Sequence, residues 1–258
     1  MKEPSDWRLD GAFDVDVVSG TELRINADGN CTMEMVDPVP LRDGRTLALP
    51  IPNATAMLLH ASKRAYNDAQ RVLGAKLYRI DPRDTFSMSS SAEAIDVVEH
   101  LILSVFTAYT SLESFANEWI PPWVNYRKTD RNGAHRTLSK EEMERQLSLG
   151  IKLDYVLPRV FKVKSPKSNN LLWESFMKLE GARNRVVHMK QADRETSDAG
   201  TDTVWKQLFK LPAPHLTAKA LVDWYMADAP HIPHLSYDNL LPVKPRWLVK
   251  YPPDEIAK

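Results

Sequence analysis

Apolar residues recur with two different periods along this chain. In its first fifty residues apolar and polar positions alternate, and a stretch with period two indicates a β-strand. The alternating stretches are Phe13–Val17, Glu22–Asn26, Cys31–Val36 and Thr46–Leu49, and an Asp-Gly pair between the second and third is typical of a hairpin turn. We therefore predict a β-hairpin appendage over residues 1–51, too small to fold well alone and so packed on the rest of the chain.

From Pro52 onward the period becomes helical. Asn53 or Thr55 is placed to cap a first helix that ends near Gly74 or a turn later, with apolar positions Leu58, Ala61, Ala65, Ala69 and Val72. Ser90 or Ser91 opens a longer helix, which Pro121 and Pro122 stop. Its apolar positions are Ile95, Val98, Ile102, Val105, Tyr109, Leu112, Ala116 and Trp119. A stripe held over so many turns favours a core helix of a bundle.

Further helix signals follow. A capping-box pattern at Ser139 opens a helix toward Leu149, with Gly150 after it, and Asn169 is placed to cap a helix that runs to about Lys190. Two short helices are expected around Val204–Phe209 and Leu216–Met226. The fold class is mainly α: an antiparallel helical bundle over residues 52–228, followed by a Pro-rich extension over 229–258 packed on the body.

Charge is balanced overall. Lys plus Arg and Asp plus Glu each total 34, so no global basic field announces a nucleic-acid-binding protein, and any RNA contact has to be local. Two basic runs are the candidates for such a contact: Arg127, Lys128, Arg131 and Arg136 in one, and Arg159, Lys162, Lys164 and Lys167 in the other, with Lys162 and Lys164 as its candidate RNA-binding residues. They form either solvated loops or a surface that follows a phosphate backbone.

Other features narrow the class of protein. The single cysteine, Cys31, allows no internal disulfide, and the sequence has neither an apolar signal core nor a long uncharged span, so we expect a cytoplasmic chain without membrane contact. His215, His231 and His234 lack a carboxylate or second cysteine at ligand spacing, so we expect neither a metal nor another cofactor.

The candidate chemistry lies between Arg183 and His188. Leu172, Phe176, Leu179, Arg183 and Val187 step along one helical stripe, so Arg183 falls on a face that is expected to meet the core. Asn184 and His188 are four residues apart on the adjacent strip. A permanent cation, an amide and an imidazole at one edge of a helix suit phosphodiester chemistry, although an arginine with a buried stem and a histidine at a helix C-terminus can equally be structural.

The spacing Arg-Asn, three residues, His near the end of a helix resembles the Arg-x4-6-His signature of the HEPN superfamily. The stretch Tyr109–Ile120, with Glu113 and Asn117, is similar to the helix that precedes the motif helix in many HEPN proteins. The resemblance implies a metal-independent endoribonuclease, a homodimer whose motif helices form a composite cleft, and a toxin or antiviral-defence role with an antitoxin or other defence protein as partner.

The roles follow from the chemistry of RNA cleavage. His188 would transfer protons, Arg183 would bind the phosphate as charge develops, and Asn184 would orient phosphate or ribose. Glu113 would either pair with Arg183 or accept a proton, and we favour the pairing. The alternative function is a non-catalytic HEPN-like module for dimerisation or for binding a protein or nucleotide.

Overall fold

A computed structural model of the chain describes residues 21–25, 31–50, 52–80, 85–129, 132–194 and 202–227. These residues fall into two compact units, one that holds the N-terminal strands and extends to Met57 and one that spans Leu58–Pro230. The predicted strand Phe13–Val17, the Asp28-Gly29 turn and the Pro-rich extension over 229–258 lie outside the described residues.

The N-terminal unit contains a three-stranded antiparallel sheet. Strands β1 (Thr21–Ile25), β2 (Cys31–Pro40) and β3 (Thr46–Pro50) pair in the order β1-β2-β3. Ile25 pairs with Cys31, and Pro40 with Thr46. The strands predicted from the alternating pattern are therefore confirmed where the chain is described.

The larger unit is mainly helical. Its helices are α1 (Ala54–Lys76, which begins in the first unit), α2 (Ser91–Trp119), α3 (Lys140–Gln146), α4 (Leu149–Ile151), α5 (Leu157–Phe161), α6 (Asn170–Val187), α7 (Val204–Lys210) and α8 (Pro214–Met226). Two short antiparallel ribbons join them, β4–β5 (Leu77–Arg79, Phe86–Met88) and β6–β7 (Tyr126–Thr129, His135–Leu138). The mainly α class is thus confirmed, and the segment predicted as a basic loop contains the β6–β7 hairpin.

The predicted helix starts agree with the structure. The Asn53 side chain accepts a hydrogen bond from the Ala56 amide at 2.8 Å, and Ser90 and Asn169 cap α2 and α6 in the same way. Ser139 and Glu142 form the predicted capping box of α3. Each cap satisfies a backbone amide that the first helical turn leaves without a partner.

The end predicted for the third helix, before Gly150, is wrong. Gly150 does not terminate a helix but lies within α4, where a Cβ would approach the Phe176 ring to 3.8 Å. The chain continues through a π-helical turn, Lys152–Val156, into α5. The Ser148 side chain caps this new start by accepting from the Ile151 amide, so a serine two residues upstream of the glycine decides the outcome.

The core lies where α2, α5, α6 and α8 pack together. Phe115 of α2, Phe161 of α5 and Tyr225 of α8 form an aromatic cluster with ring centroids 5.4 to 6.1 Å apart. Phe176 and Leu179 bury the inner face of α6 against α2 and α8. Helix α2 is long and apolar enough to cross a membrane by length and composition, but 44% of its apolar window is buried, and a core helix of a soluble protein meets the same test.

Candidate functional site

Helix α6 presents its two faces differently. Phe176, Leu179 and Ala182 are buried, whereas Met177, Gly181, Asn184 and His188 are exposed and step by four, three and four residues. We call these four residues the outer stripe. Val187, predicted to face the core, is 47% exposed, and Val186 is half-buried in its place. The reason is geometric, since 3.6 residues per turn carry a stripe from 179 through 183 to between 186 and 187.

Arg183 projects from the side of α6 that faces α2. Its guanidinium lies over the Tyr109 ring, with Cζ 4.9 Å from the ring centroid. Its Nη1 donates a hydrogen bond to the Asn184 carbonyl oxygen, Oδ1, at 3.0 Å. Within the described part of the chain, no carboxylate forms an ion pair with Arg183. The two described contacts of the cation are therefore with a π-face and an amide, both neutral.

His188 is the C-cap of α6. Its backbone amide donates to the Asn184 backbone carbonyl at 3.0 Å, and its φ of −118° takes it out of the helix. The side chain is exposed, and among the described residues no hydrogen bond, ion pair or ring contact restrains the ring. The structure thus brings Arg183 into contact with Asn184 and places the His188 imidazole one turn further along the outer stripe.

The second arginine of the motif has a different position. Arg185 donates two hydrogen bonds to Asp193, from Nε to Oδ2 at 3.0 Å and from Nη2 to Oδ1 at 2.9 Å. The Asp193 side chain is fully buried and also accepts from the backbone amides of Lys190 and Val204. The hydrogen bond from Arg185 is the largest influence that holds the pKa of Asp193 well below its usual range, against the opposing effect of burial.

This aspartate explains where α6 ends. The helix was predicted to run to about Lys190, but it stops at Val187 and a short 3-10 turn follows at Gln191–Asp193. Because Asp193 binds Arg185 behind it and the first amide of α7 ahead of it, the chain has to reverse here. Arg185 and Asp193 therefore build the end of the helix on which His188 is exposed.

The two supporting candidates lie on α2 one and two turns beyond Tyr109. Asn117 accepts a hydrogen bond from the Lys152 ammonium at 2.8 Å, and the same ammonium donates to the Glu144 carbonyl. Lys152 is 3% exposed, and burial lowers its pKa, an effect that Glu113 and Glu144 oppose. Asn117 thus supports a buried lysine.

Glu113 lies on α2 between Tyr109 and Asn117. Its charge acts both on Lys152 and on the Tyr109 hydroxyl, whose pKa is raised first by burial and then by Glu180 and Glu113. In the ranges that the structure describes it forms no ion pair with Arg183, so the suggested pairing is absent. The Tyr109 hydroxyl instead donates to Glu180 of α6 at 3.2 Å, which ties the two helices together beneath Arg183.

The predicted basic residues lie on other elements than the motif. Arg127 and Lys128 are on β6, and Arg136 on β7 pairs with Glu142. Lys162 and Lys164 lie before the start of α6, and Arg183 lies about 20 Å along the helix from that start at 1.5 Å per residue. Arg131 lies outside the described residues.

An aromatic contact joins the two basic runs. The rings of Tyr126 on β6 and Tyr155 in the π-helical turn meet edge-on at 5.4 Å, and the Arg159 guanidinium lies 3.5 Å above the Tyr155 centroid. The hairpin base and the segment before α6 are therefore neighbours, as a shared surface requires.

The histidine-rich tail offers little to a metal in the part that is described. His215 is buried and its ring lies 5.6 Å from that of Tyr66, while His231 and His234 lie outside the described residues. Among the residues described, no group of three or more His, Cys, Asp or Glu side chains is arranged to hold a metal ion.

Comparisons of the chain with protein-family models, with curated proteins and with solved structures find no match. The residues themselves therefore carry the functional argument.

Sequence reasoning missed three residues of this site, Tyr109, Glu180 and Asp193. Tyr109 was placed on the core stripe of α2, where its hydroxyl gave no separate signal. Glu180 lies three residues before Arg183, and this spacing puts both side chains on one side of a helix. The spacing alone could therefore have indicated that Glu180 belongs to the site. Asp193 lies beyond the predicted helix end near Lys190, and no local pattern marks its role, because its partners Arg185 and Val204 are joined to it by tertiary structure.

Proposed function

We propose that this protein is a metal-independent endoribonuclease of HEPN type, which cleaves RNA at a site formed by Arg183, Asn184 and His188. The observation that carries the proposal is the contrast between the two motif arginines. Arg185 is neutralised by a buried carboxylate, whereas Arg183 is oriented by Tyr109 and Asn184 and keeps its charge. A fixed cation that forms no ion pair among the described residues, next to an exposed imidazole, is complementary to a phosphodiester.

In the proposed reaction the 2′-hydroxyl of the substrate attacks the adjacent phosphorus, and the 5′-oxygen of the next nucleotide leaves. His188 moves a proton at one of these two oxygens, since imidazole titrates near neutral pH. Arg183 stabilises the charge that develops on the non-bridging oxygens, and its planar donor fork suits two of them. Asn184 keeps the guanidinium in place through its carbonyl oxygen.

Cleavage requires two proton transfers, but the motif contains only one imidazole. A homodimer would provide a second imidazole. The outer stripe of α6 offers a surface for it: Gly181 has no neighbouring atom within 4 Å of an ideal Cβ, and Met177 and the adjacent Val187 are each 47% exposed. Pairing two such helices about a two-fold axis would bring both copies of Arg183 and His188 to one cleft. The antiparallel HEPN-like bundle is part of this proposal.

A toxin or antiviral role in the cytoplasm, with an antitoxin or other defence protein as partner, is the biological setting that the HEPN resemblance implies. The competing function is a non-catalytic module that uses the same α6 surface for dimerisation or for binding a protein or nucleotide. The apolar members of that surface, Met177 and Val187, favour it specifically.

The test is cleavage of a structured RNA by purified wild type, Arg183→Ala and His188→Ala. We expect losses of about 100-fold or more, as for removal of an electrostatic or proton-transfer group. Arg71→Ala, at an exposed position on α1, and His100→Ala, at a half-buried position on α2, are matched controls outside the motif, and both should cleave normally. Equal cleavage by all five proteins would refute the catalytic role, and a folded dimer without cleavage would favour the non-catalytic module.

A further inference from the structure

A cavity of about 480 Å³ opens beside the outer stripe of α6, on the side that faces α7. Lys178, Gly181 and Ala182 form one wall, and Lys210, Leu211 and Pro212 form the other. Its volume lies within the range of small-molecule sites. Gly181 belongs both to this cavity and to the outer stripe, so the cavity adjoins the proposed cleavage site.

Two positive charges flank the cavity without compensation. Lys178 on α6 and Lys210 at the end of α7 are both exposed, and neither has an ion-pair partner among the described residues. Some other lysines of this chain are ion-paired, as Lys140 is with Glu144 and Lys219 with Asp223. Two unpaired ammonium groups on separate elements at one opening favour an anion that lies between them.

The rest of the lining differs from that of a simple anion site. Ala182, Leu211 and Pro212 supply apolar surface against which a flat group can lie. Gln207 also lines the cavity, and its amide nitrogen donates to Asp202 at 2.5 Å. That bond orients the side chain and leaves its carbonyl oxygen as a hydrogen-bond acceptor for the ligand.

We infer that this cavity binds one nucleotide, with its phosphate between Lys178 and Lys210 and its base on the apolar surface within reach of the Gln207 carbonyl oxygen. The inference deepens the proposed function, because it makes the cavity a subsite for a nucleotide next to the cleaved bond. From Lys178 to His188 along α6 is about 15 Å, which places the two sites within the reach of one short single strand.

The direct test is a ligand-observed NMR titration of the full chain with adenosine 5′-monophosphate, adenosine and inorganic phosphate. We expect the nucleotide to bind more tightly than either part. Lys178→Gln and Lys210→Gln should each weaken nucleotide binding about fivefold, the effect of removing one ammonium a few ångströms from a phosphate. Lys140→Gln, a matched loss of charge on α3, should bind as wild type does.

Each alternative result overturns a defined part of the inference. If inorganic phosphate binds as tightly as the nucleotide, the apolar surface does not hold a base. If adenosine binds as tightly as the nucleotide, the lysines hold no phosphate. Unchanged affinity in both lysine variants, or no binding by wild type because a second protomer fills the cavity, removes the site altogether.

The proposed cleavage site and the proposed nucleotide subsite can be tested independently of each other. Arg183→Ala should lose cleavage and keep its affinity for the nucleotide, whereas Lys178→Gln and Lys210→Gln should raise KM for RNA with kcat unchanged. Nucleotide binding by a wild-type protein that cleaves no RNA would refute the proposed function and retain the subsite. Cleavage of RNA with unchanged KM in both lysine variants would refute the subsite and retain the proposed function.

Discussion

The guanidinium of Arg183 on α6 lies over the ring of Tyr109 on α2, with 4.9 Å between Cζ and the ring centroid. The same tyrosine donates its hydroxyl hydrogen to Glu180, so one side chain orients the arginine with its face and joins the two helices with its edge. Residues 74 apart in sequence thereby set the position of the one motif cation that is proposed to bind phosphate. Tyr109 acts through Arg183 and is a positioning residue.

This dual role predicts different results for two substitutions. Tyr109→Phe keeps the ring and should retain activity, while loss of its hydrogen bond lowers the free energy of unfolding by about 1 kcal/mol. Tyr109→Leu also removes the cation–π contact, which is worth about 0.5 to 1 kcal/mol. Its kcat/KM should therefore be about two- to fivefold lower than that of Tyr109→Phe.

Steady-state cleavage together with chemical denaturation separates these effects. Tyr78→Leu, at a tyrosine that is 52% exposed on β4, is the matched control and should change neither quantity strongly. Equal activity of Tyr109→Phe and Tyr109→Leu would show that the ring does not position Arg183.

The buried aspartate that ends α6 predicts a dependence of stability on pH. Because the pKa of Asp193 is lowered on folding, the ionised form favours the folded state at pH values above the unfolded pKa of about 4. That contribution is lost progressively as the pH falls below about 4 toward the folded pKa. Thermal unfolding between pH 7 and pH 2 should therefore show a falling Tm in the acid range.

Asp193→Asn should lower Tm at neutral pH and flatten the decline in acid. Asp68→Asn, which removes an exposed ion pair with Arg71, should leave the slope as in wild type. A slope that is unchanged in Asp193→Asn would assign the acid sensitivity to other carboxylates.

The extent to which the sequence predicted this fold depends on how local the determining interactions are. Helix starts were predicted well, since Ser90, Ser139 and Asn169 each bond an amide within three residues. The end of α6 was not, because Asp193 reaches Arg185 and Val204 across turns that no local pattern specifies.

The phase of α2 shows the same limit. From Val105 to Trp119 the predicted apolar positions are buried, but near the start of the helix Ile95 is 57% exposed and Val97 is buried instead. Val97 and Leu101 pack against Ala69 of α1, a contact that shifts the buried face by one residue, about a quarter of a turn. An uninterrupted apolar stripe could not reveal this shift, since both sets of positions are apolar.

The proposed mechanism predicts the products and the metal dependence of cleavage. Because the nucleophile is the 2′-hydroxyl of the substrate, cleavage should survive a chelator and leave 2′,3′-cyclic phosphate ends. An RNA with a single 2′-deoxy nucleotide at the cut site should resist cleavage there and be cut normally elsewhere. Mass spectrometry of the products identifies both the end groups and the positions of the cuts. Inhibition by chelator, with activity restored by a divalent cation, would contradict the mechanism.

The last prediction concerns Gly181, at the centre of the outer stripe. Within the described chain nothing lies within 4 Å of an ideal Cβ there or at Gly74 of α1, so alanine fits at both positions and should stabilise each helix by up to about 1 kcal/mol. In Gly181→Glu, by contrast, a charged side chain would lie in the proposed contact between two α6 helices. Such an interface should bury more than about 1,000 Å² in total.

We therefore expect Gly181→Glu to sediment as a monomer and to lose cleavage, whereas Gly74→Glu remains dimeric and active. Analytical ultracentrifugation across the concentration range of the activity assay gives the comparison. If wild type is a monomer with full activity at the assay concentration, a single copy of Arg183 and His188 suffices and the composite cleft is wrong. If Gly181→Glu stays dimeric, the two protomers meet through another face, and the exposed side of α6 is left free for RNA.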